Sequence, residues 1–346
     1  MVYHASLKHN LARLLVLLTL SLSMAGCCYS QPLNDEQARD LPTISSAWLA
    51  YWDTKSGNQE LRQVKSKLTQ VVYFAASFDA KDKLVIPPEI LSSYKTNKKV
   101  EGRKDFLSFV NDCTDEKGKV KLKDTKVLQR VLADENARRK HIEAIVSLVQ
   151  SNGFAGVEID YENIWKDAKV AELFMQFLPE LQAETSKANL GLRVVLEPST
   201  PMQSKTFVQG PEYVVMAYNL FGLHSDVGPK ANEKFLLKLL QRMETLPEPK
   251  SMALATGGCV WSNKDNPIFI TEQQAVAMAE KSGAAVSVDT ASRCKHFRYR
   301  VDLNVREVWY ADAETIEYWT LVCKRSKVNR ISIWRLGGNV AIKEII

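Results

Sequence analysis

Past residue 46 the chain alternates short apolar runs with longer stretches in which apolar residues recur every three or four positions. The short runs predict strands over Ala47–Trp52, Val71–Phe78, Phe106–Val110, Gly156–Asp160, Leu192–Glu197, Tyr213–Tyr218, Met252–Thr256 and Ile331–Trp334. The longer period predicts helices over Asp134–Ser151, Asp167–Ala188, Asn232–Thr245 and Thr315–Arg325. In the third, Phe235, Leu236, Leu239, Leu240 and Met243 share one face. Strands interleaved with helices in this way predict an α/β fold, a closed (β/α)8 TIM barrel occupying residues 47–346. One interval breaks the rhythm. Between Thr256 and Thr315 lie a helical stretch, Glu272–Lys281, and strand-like pieces, Ala285–Val288 and Arg298–Leu303. Residues 259–312 are therefore read as a small α+β insertion between strands seven and eight, on the top face of the barrel.

The first 26 residues follow neither period. Lys8, His9 and Arg13 precede an apolar run from Leu14 to Leu22, then Ser23, Met24, Ala25 and Gly26. This is the layout of a secretory signal peptide, and the run is short of the roughly 20 apolar residues a transmembrane helix needs. Met24-Ala25-Gly26-Cys27 resembles a lipobox, with Cys27 as the lipidated residue; ordinary cleavage nearby is the alternative. The polar segment 27–46 then reads as a tether. These features imply export, either as a cell-envelope lipoprotein or as a secreted protein, with membrane contact only through the anchor.

Composition narrows the picture further. With 45% hydrophobic and 25% charged residues the chain is ordinary for a globular protein. The net charge is +6, and the leader contributes Lys8 and Arg13 with no acid, which leaves +4 beyond it. That mild excess suits an anionic polymer of the cell envelope and does not argue for nucleic acid. The six cysteines, Cys27, Cys28, Cys113, Cys259, Cys294 and Cys323, lack zinc-ligand spacing. A Cys259–Cys294 disulfide and a pair of buried thiols are both compatible with the sequence.

The most informative stretch is Ala155-Gly156-Val157-Glu158-Ile159-Asp160-Tyr161-Glu162. Alternate side chains of a strand share a face. Val157, Ile159 and Tyr161 suit the layer under the helices, so Glu158, Asp160 and Glu162 are predicted to point into the upper interior of the barrel. Neighbours on one face lie about 6.5–7 Å apart. Desolvation and mutual repulsion then raise at least one carboxyl pKa and keep a proton in place at neutral pH. Glu162, at the C-terminal end of the strand where barrels place their chemistry, is the candidate general acid. An exposed edge strand and a divalent metal site are the competing readings. No metal ligand set and no cofactor are assigned.

This stretch resembles the DGxDxDxE signature of glycoside hydrolase family 18. Met216-Ala217-Tyr218-Asn219 is similar to the family's motif at the end of strand six, and Ile331-Ser332-Ile333-Trp334-Arg335-Leu336-Gly337-Gly338 to its terminal tryptophan strand. Phe297-Arg298-Tyr299 and Glu307-Val308-Trp309-Tyr310-Ala311-Asp312 look like the branch of spore-cortex-lytic N-acetylglucosaminidases. The resemblance implies retaining, substrate-assisted hydrolysis of β-1,4-linked N-acetylglucosamine glycans, of peptidoglycan type, chitin type or, as an endo-β-N-acetylglucosaminidase, N-linked type. Carried over, Glu162 protonates the leaving oxygen, Asp160 orients the acetamido group and Tyr218 donates to its oxygen. Glu158, Met216 and Asn219 would support the substrate, and Trp334 would form the floor under the sugar. Two positions depart from the pattern: Ala155 replaces the first Asp and Glu158 the middle one. Glu158 either shares a proton with Asp160 or presses on it. These departures keep a sugar-binding, non-cleaving lectin as the alternative. Trp52 and Phe78, near the ends of strands one and two, are further candidates for the cleft wall, with ordinary packing as the competing reading. Glu197 and His224 carry no assignment.

Overall fold

A computed structural model describes residues 34, 36–37, 44–97, 100–223 and 225–346. The leader, Cys27, most of the tether and His224 lie outside the described residues. Eight strands form the barrel: β1 (Ile44–Ala50), β2 (Gln70–Phe78), β3 (Lys104–Thr114), β4 (Gly156–Asp160), β5 (Gly191–Leu196), β6 (Glu212–Met216), β7 (Lys250–Ala255) and β8 (Ile331–Leu336). Each pairs in parallel with the next, and β8 returns to β1, so the sheet closes. The strand β1 begins inside the segment read as a tether.

The helices on the outside are α1 (Thr54–Val64), α2 (Pro88–Asn97), α3 (Thr125–Val131), α4 (Glu135–Asn152), α5 (Ala168–Lys187) and α6 (Glu233–Met243). After the insertion, whose helix is α7 (Glu272–Ser282), come α8 (Ala313–Arg325) and α9 (Ile342–Ile345). Several starts are set by a polar side chain that accepts a backbone N–H left without a partner in the first turn. Asp134 accepts from Ala137, Asp167 from Lys169 and Val170, Asn232 from Phe235 and Asp312 from Thr315. These caps fix where the chain leaves each strand-to-helix loop, and those loops build the top face of the barrel.

Alternation within the strands divides the core in two. Outward residues such as Val157, Ile159, Tyr161, Val194 and Tyr213 join the helices in the large core. Inward residues Trp48, Val72, Phe106, Val195, Val214, Met216 and Ala253 fill the barrel. Phe106 fixes the identity of residue 156, because a Cβ there would meet Phe106 Cε1 at 2.4 Å and the Gly191 carbonyl at 2.6 Å. Gly156 thus lets β4 sit close to its neighbours at the barrel floor.

Between β7 and β8 the chain builds a five-stranded antiparallel sheet from Gly257–Ser262, Ile268–Ile270, Ser287–Val288, Lys295–Val301 and Asn304–Ala311, with α7 against one face. The sheet starts at Gly257, two residues before the boundary expected at Cys259. At residue 258 a Cβ would overlap the Trp309 carbonyl oxygen at 1.7 Å, so the strand pairing requires glycine there. The strand read as Arg298–Leu303 ends at Val301, where Asp302, with φ 54°, turns the chain into a hairpin. The four described cysteines, Cys113, Cys259, Cys294 and Cys323, are free. Among the described residues no helix is long and apolar enough to cross a membrane.

Candidate active site

At the C-terminal end of β4 the chain leaves the strand through Tyr161 and Glu162. Asn111, buried near the end of β3, grips the Glu162 backbone from both sides: Glu162 N–H donates to Asn111 Oδ1 (2.8 Å), and Asn111 Nδ2 donates to the Glu162 carbonyl (3.1 Å). The next residue, Asn163, has φ 62°, and its N–H donates to Glu197 Oε2 at 2.8 Å. Glu197 therefore holds the turn that carries Glu162. The Glu162 carboxylate faces the cleft and accepts from Lys123 Nζ at 2.5 Å.

Burial pushes the Glu162 carboxyl above its ordinary range; Lys123 pulls it back, and Glu197 and Asp112 push it up again. Asp160, 6% exposed, is raised well above the usual carboxylate range by burial, then by the charges of Glu162 and Glu158, with Lys123 opposing. Its Oδ1 is buried without a hydrogen-bond partner. An unpartnered acceptor in a dry site costs free energy that a donor on a ligand would recover. Tyr218, half-buried just past β6, is raised well above its ordinary value by burial and then by Asp160, Glu162 and Glu158, so its phenol stays a donor.

Aromatic rings form the floor. Trp334 meets Phe74 edge-on at 4.9 Å between centroids and Trp48 at 5.9 Å, and Trp52 flanks it at 6.1 Å. Trp52 stands in a short turn after β1, 52% exposed, with the Arg335 guanidinium 5.7 Å over its ring. Arg335 is tied to Asp53 at 2.7 Å. The loop after Trp334 is anchored by Glu60, buried on α1, which accepts from the N–H groups of Gly337 (2.6 Å) and Asn339 (2.8 Å). Met216 is buried in the inner cluster against which Trp334 and Tyr218 pack, and Asn219 is exposed with its Nδ2 3.7 Å from Met216 Sδ.

The structure brings Glu162, Asp160, Tyr218, Trp334, Trp52, Met216 and Asn219 to one end of the barrel. Two candidates lie elsewhere. Glu158 is 0% exposed, one layer below Asp160, where Trp48 Nε1 donates to it at 2.7 Å and Arg193 Nε at 2.9 Å. Fully buried and hydrogen-bonded at both oxygens, it does not line the cleft. Phe78 is 1% exposed and stacks on His141 beneath the helices, at 5.5 Å. A register irregularity in β2 between Tyr73 and Ala76 turns the end of that strand away from the cleft.

Sequence reasoning passed over Asn111, Lys123 and Arg193 and left Glu197 without an assignment. Arg193 is the most legible in retrospect: it is a lone charge in the apolar run Gly191–Leu196, in register with Glu158 on the adjacent strand.

Residues 47–339 match the profile of Glycosyl hydrolases family 18. The cortical fragment-lytic enzyme of Bacillus subtilis (strain 168) is 24% identical over 233 residues, which make up 60% of this chain and 52% of that protein. The chain spans about half the length of the curated relatives first matched. The crystal structure of the Bacillus cereus spore cortex-lytic enzyme SleL superposes with a TM-score of 0.73 at 19% identity, over 88% of this chain and 75% of that one. A chitinase from Chromobacterium violaceum gives 0.72 at 16% identity, over 88% and 98%. At such identities these structures speak for the shared barrel, while the profile match extends through every strand of it. The chain belongs to glycosyl hydrolases family 18.

Proposed function

We propose that the protein is an exported, retaining glycosidase that cleaves β-1,4-linked N-acetylglucosamine glycans with the help of the substrate's own acetamido group, and that peptidoglycan-type strands are its substrate. The observation that carries this reading is the convergence of a raised carboxyl at Glu162, an unpartnered carboxyl oxygen at Asp160 and a phenol donor at Tyr218, which packs on the same inner cluster as Trp334. In this reading a sugar lays its C–H face on Trp334. Its acetamido N–H reaches the orphaned oxygen of Asp160, and Tyr218 donates to the acetamido oxygen. That oxygen attacks the anomeric carbon while Glu162 delivers its proton to the departing O4, leaving an oxazolinium ion. Glu162, now ionised, takes a proton from the water that opens the ion, so configuration is retained. Peptidoglycan-type strands are favoured over chitin because the curated relatives include cortical fragment-lytic enzymes, although chitinases stand among the similar structures. Export, with or without lipid on Cys27, fits such a substrate.

A fluorophore released from chitobiose and chitotriose glycosides tests the reading. Wild type should release it, and Glu162→Gln should lose about 10²–10⁴-fold, the usual contribution of general acid catalysis. A lectin is the second reading, favoured by the diversion of Glu158 into an ion pair with Arg193. Tight glycan binding without release would select it.

A further inference from the structure

Lys123 plays no part in that mechanism, yet the fold holds it on the proposed acid. It lies between β3 and α3 with φ 53°, a backbone region uncommon for residues other than glycine and asparagine. Both sides of it are pinned. Its own N–H donates to Asp112 Oδ1 at 2.7 Å; the following N–H, of Asp124, donates to the Asn111 carbonyl at 2.8 Å, and the Asp124 side chain caps α3. Nζ then reaches Glu162 Oε2 at 2.5 Å while the side chain remains 42% exposed. An ammonium has three donors. Among the described residues, Glu162 is the one side chain that the Lys123 ammonium is shown bonding, and the exposed side chain leaves two donors for solvent or a ligand.

The chemistry of the bond says what faces those donors. A general acid delivers its proton to the bridging oxygen, so a cation bonded to its carboxylate lies beside the leaving sugar. Asp160 and Tyr218 serve the acetamido group of the other sugar. In a β-1,4 polymer the bridging oxygen is O4 of the leaving sugar, flanked by the O3 substituent on one side and the C5 hydroxymethyl on the other; of the two, only the O3 substituent of a peptidoglycan-type strand carries a carboxylate. We propose that Lys123 binds a free carboxylate carried on O3 of the leaving sugar, as in N-acetylmuramic acid stripped of its stem peptide. The inference rests on Glu162 being the acid. When the ammonium turns to the substrate carboxylate it stays protonated, and Glu162, released from its ion pair, takes a proton from solvent and then gives it to O4. A muramic carboxyl is free only after its amide bond to the peptide has been hydrolysed. The enzyme therefore acts downstream of an amide-cleaving reaction on the same strand.

The test compares kcat/KM on three tetrasaccharides: chitotetraose, peptide-free alternating N-acetylglucosamine–N-acetylmuramic acid, and the same strand with its carboxyls converted to methylamides. Wild type should prefer carboxylate to methylamide by about tenfold or more, chiefly through KM and less so at high salt, as a charge-assisted hydrogen bond requires. Lys123→Ala should bring that ratio close to one, and Lys123→Arg should keep most of it. A wild-type ratio near one, or a Lys123→Ala variant that slows all three substrates by one common factor, would overturn the proposal. Chitotetraose reports separately on the acid. If wild type cleaves none of the three, calorimetric affinities for carboxylate and methylamide strands decide: a preference lost in Lys123→Ala sustains the carboxylate site, and equal affinities sink it.

Discussion

Arg193 Nε donates to Glu158 Oε2 across 2.9 Å inside the barrel, and both side chains are fully buried. The guanidinium also serves Gln70, Glu212 and Ser332, so the lower interior is a polar layer organised around one cation. Buried ion pairs of this kind add little net stability, but removing one partner strands the other charge in a dry site. Arg193→Met should therefore destabilise the barrel by roughly 3–5 kcal/mol in denaturant unfolding, because Glu158 loses its counter-ion and Glu212 the nearer of its two. Adding Glu158→Gln to that variant should recover part of the loss. Strict additivity of the two changes would mean that the pair is not coupled.

Asp160 presents the opposite case, a buried acid with one oxygen unpartnered and only the Lys123 charge opposing its neighbours. Its folded pKa is raised by burial first and by Glu162 and Glu158 next. A carboxyl raised on folding contributes most below its unfolded pKa of about 3.9, and that contribution fades as pH rises toward the folded value. Asp160→Asn removes the titration. The variant should gain on wild type as pH rises from about 4, reaching a higher Tm near neutrality by an amount equivalent to roughly 1–3 kcal/mol, the cost of an unsatisfied buried group. Activity should fall with the same change. Thermal unfolding across pH checks the sign, and a stability difference independent of pH would contradict it.

The contrast between Glu162 and Lys123 shows which parts of the site were legible in the sequence. Glu162 follows from local alternation: Val157, Ile159 and Tyr161 face the helices, so the acids face in, whatever the distant chain does. The barrel is legible for the same reason, since each strand carries its own period. Lys123 meets Glu162 across 39 positions of sequence and only because Asp112, Asn111 and the α3 cap hold one turn. Glu158 misled because parity gives a side chain's face but not its depth; whether an inward acid meets solvent or Arg193 depends on strand stagger. Phe78 misled because a place near a strand's end does not say which face the side chain takes, and the irregularity in β2 leaves it among the helices, the ordinary packing that was the competing reading.

Glu60 reaches the floor of the cleft from α1. Its carboxylate accepts from two backbone N–H groups and from Asn339 Nδ2 at 2.7 Å, which fixes the loop just past Trp334. Glutamine in its place turns a donor toward donors. Glu60→Gln should cost roughly 1–3 kcal/mol of stability. It should also raise KM for chitotriose glycosides more than it lowers kcat, since the floor binds the sugar without touching the reacting atoms. An unchanged KM would show that the loop keeps its shape without Glu60.

The pH dependence of cleavage should register the ammonium on Glu162 directly. A general acid works in its protonated form, so the alkaline limb of kcat/KM marks the loss of that proton. Burial raises the Glu162 carboxyl and Lys123 is the strongest force lowering it. Lys123→Met removes the lowering effect and keeps the aliphatic stem. On a chitotriose glycoside, which has no carboxylate to compete for the ammonium, the alkaline limb should move to higher pH in the variant. The acidic limb should follow in the same direction, because the Asp160 carboxyl is held down by the same ammonium. High salt should shrink the difference between variant and wild type only in part, because the pair is partly shielded from solvent. A limb that moved to lower pH would mean that the lysine favours the protonated acid, as a neutral amine accepting a hydrogen bond from it would. In that case the 2.5 Å contact would run from acid to amine rather than being an ion pair.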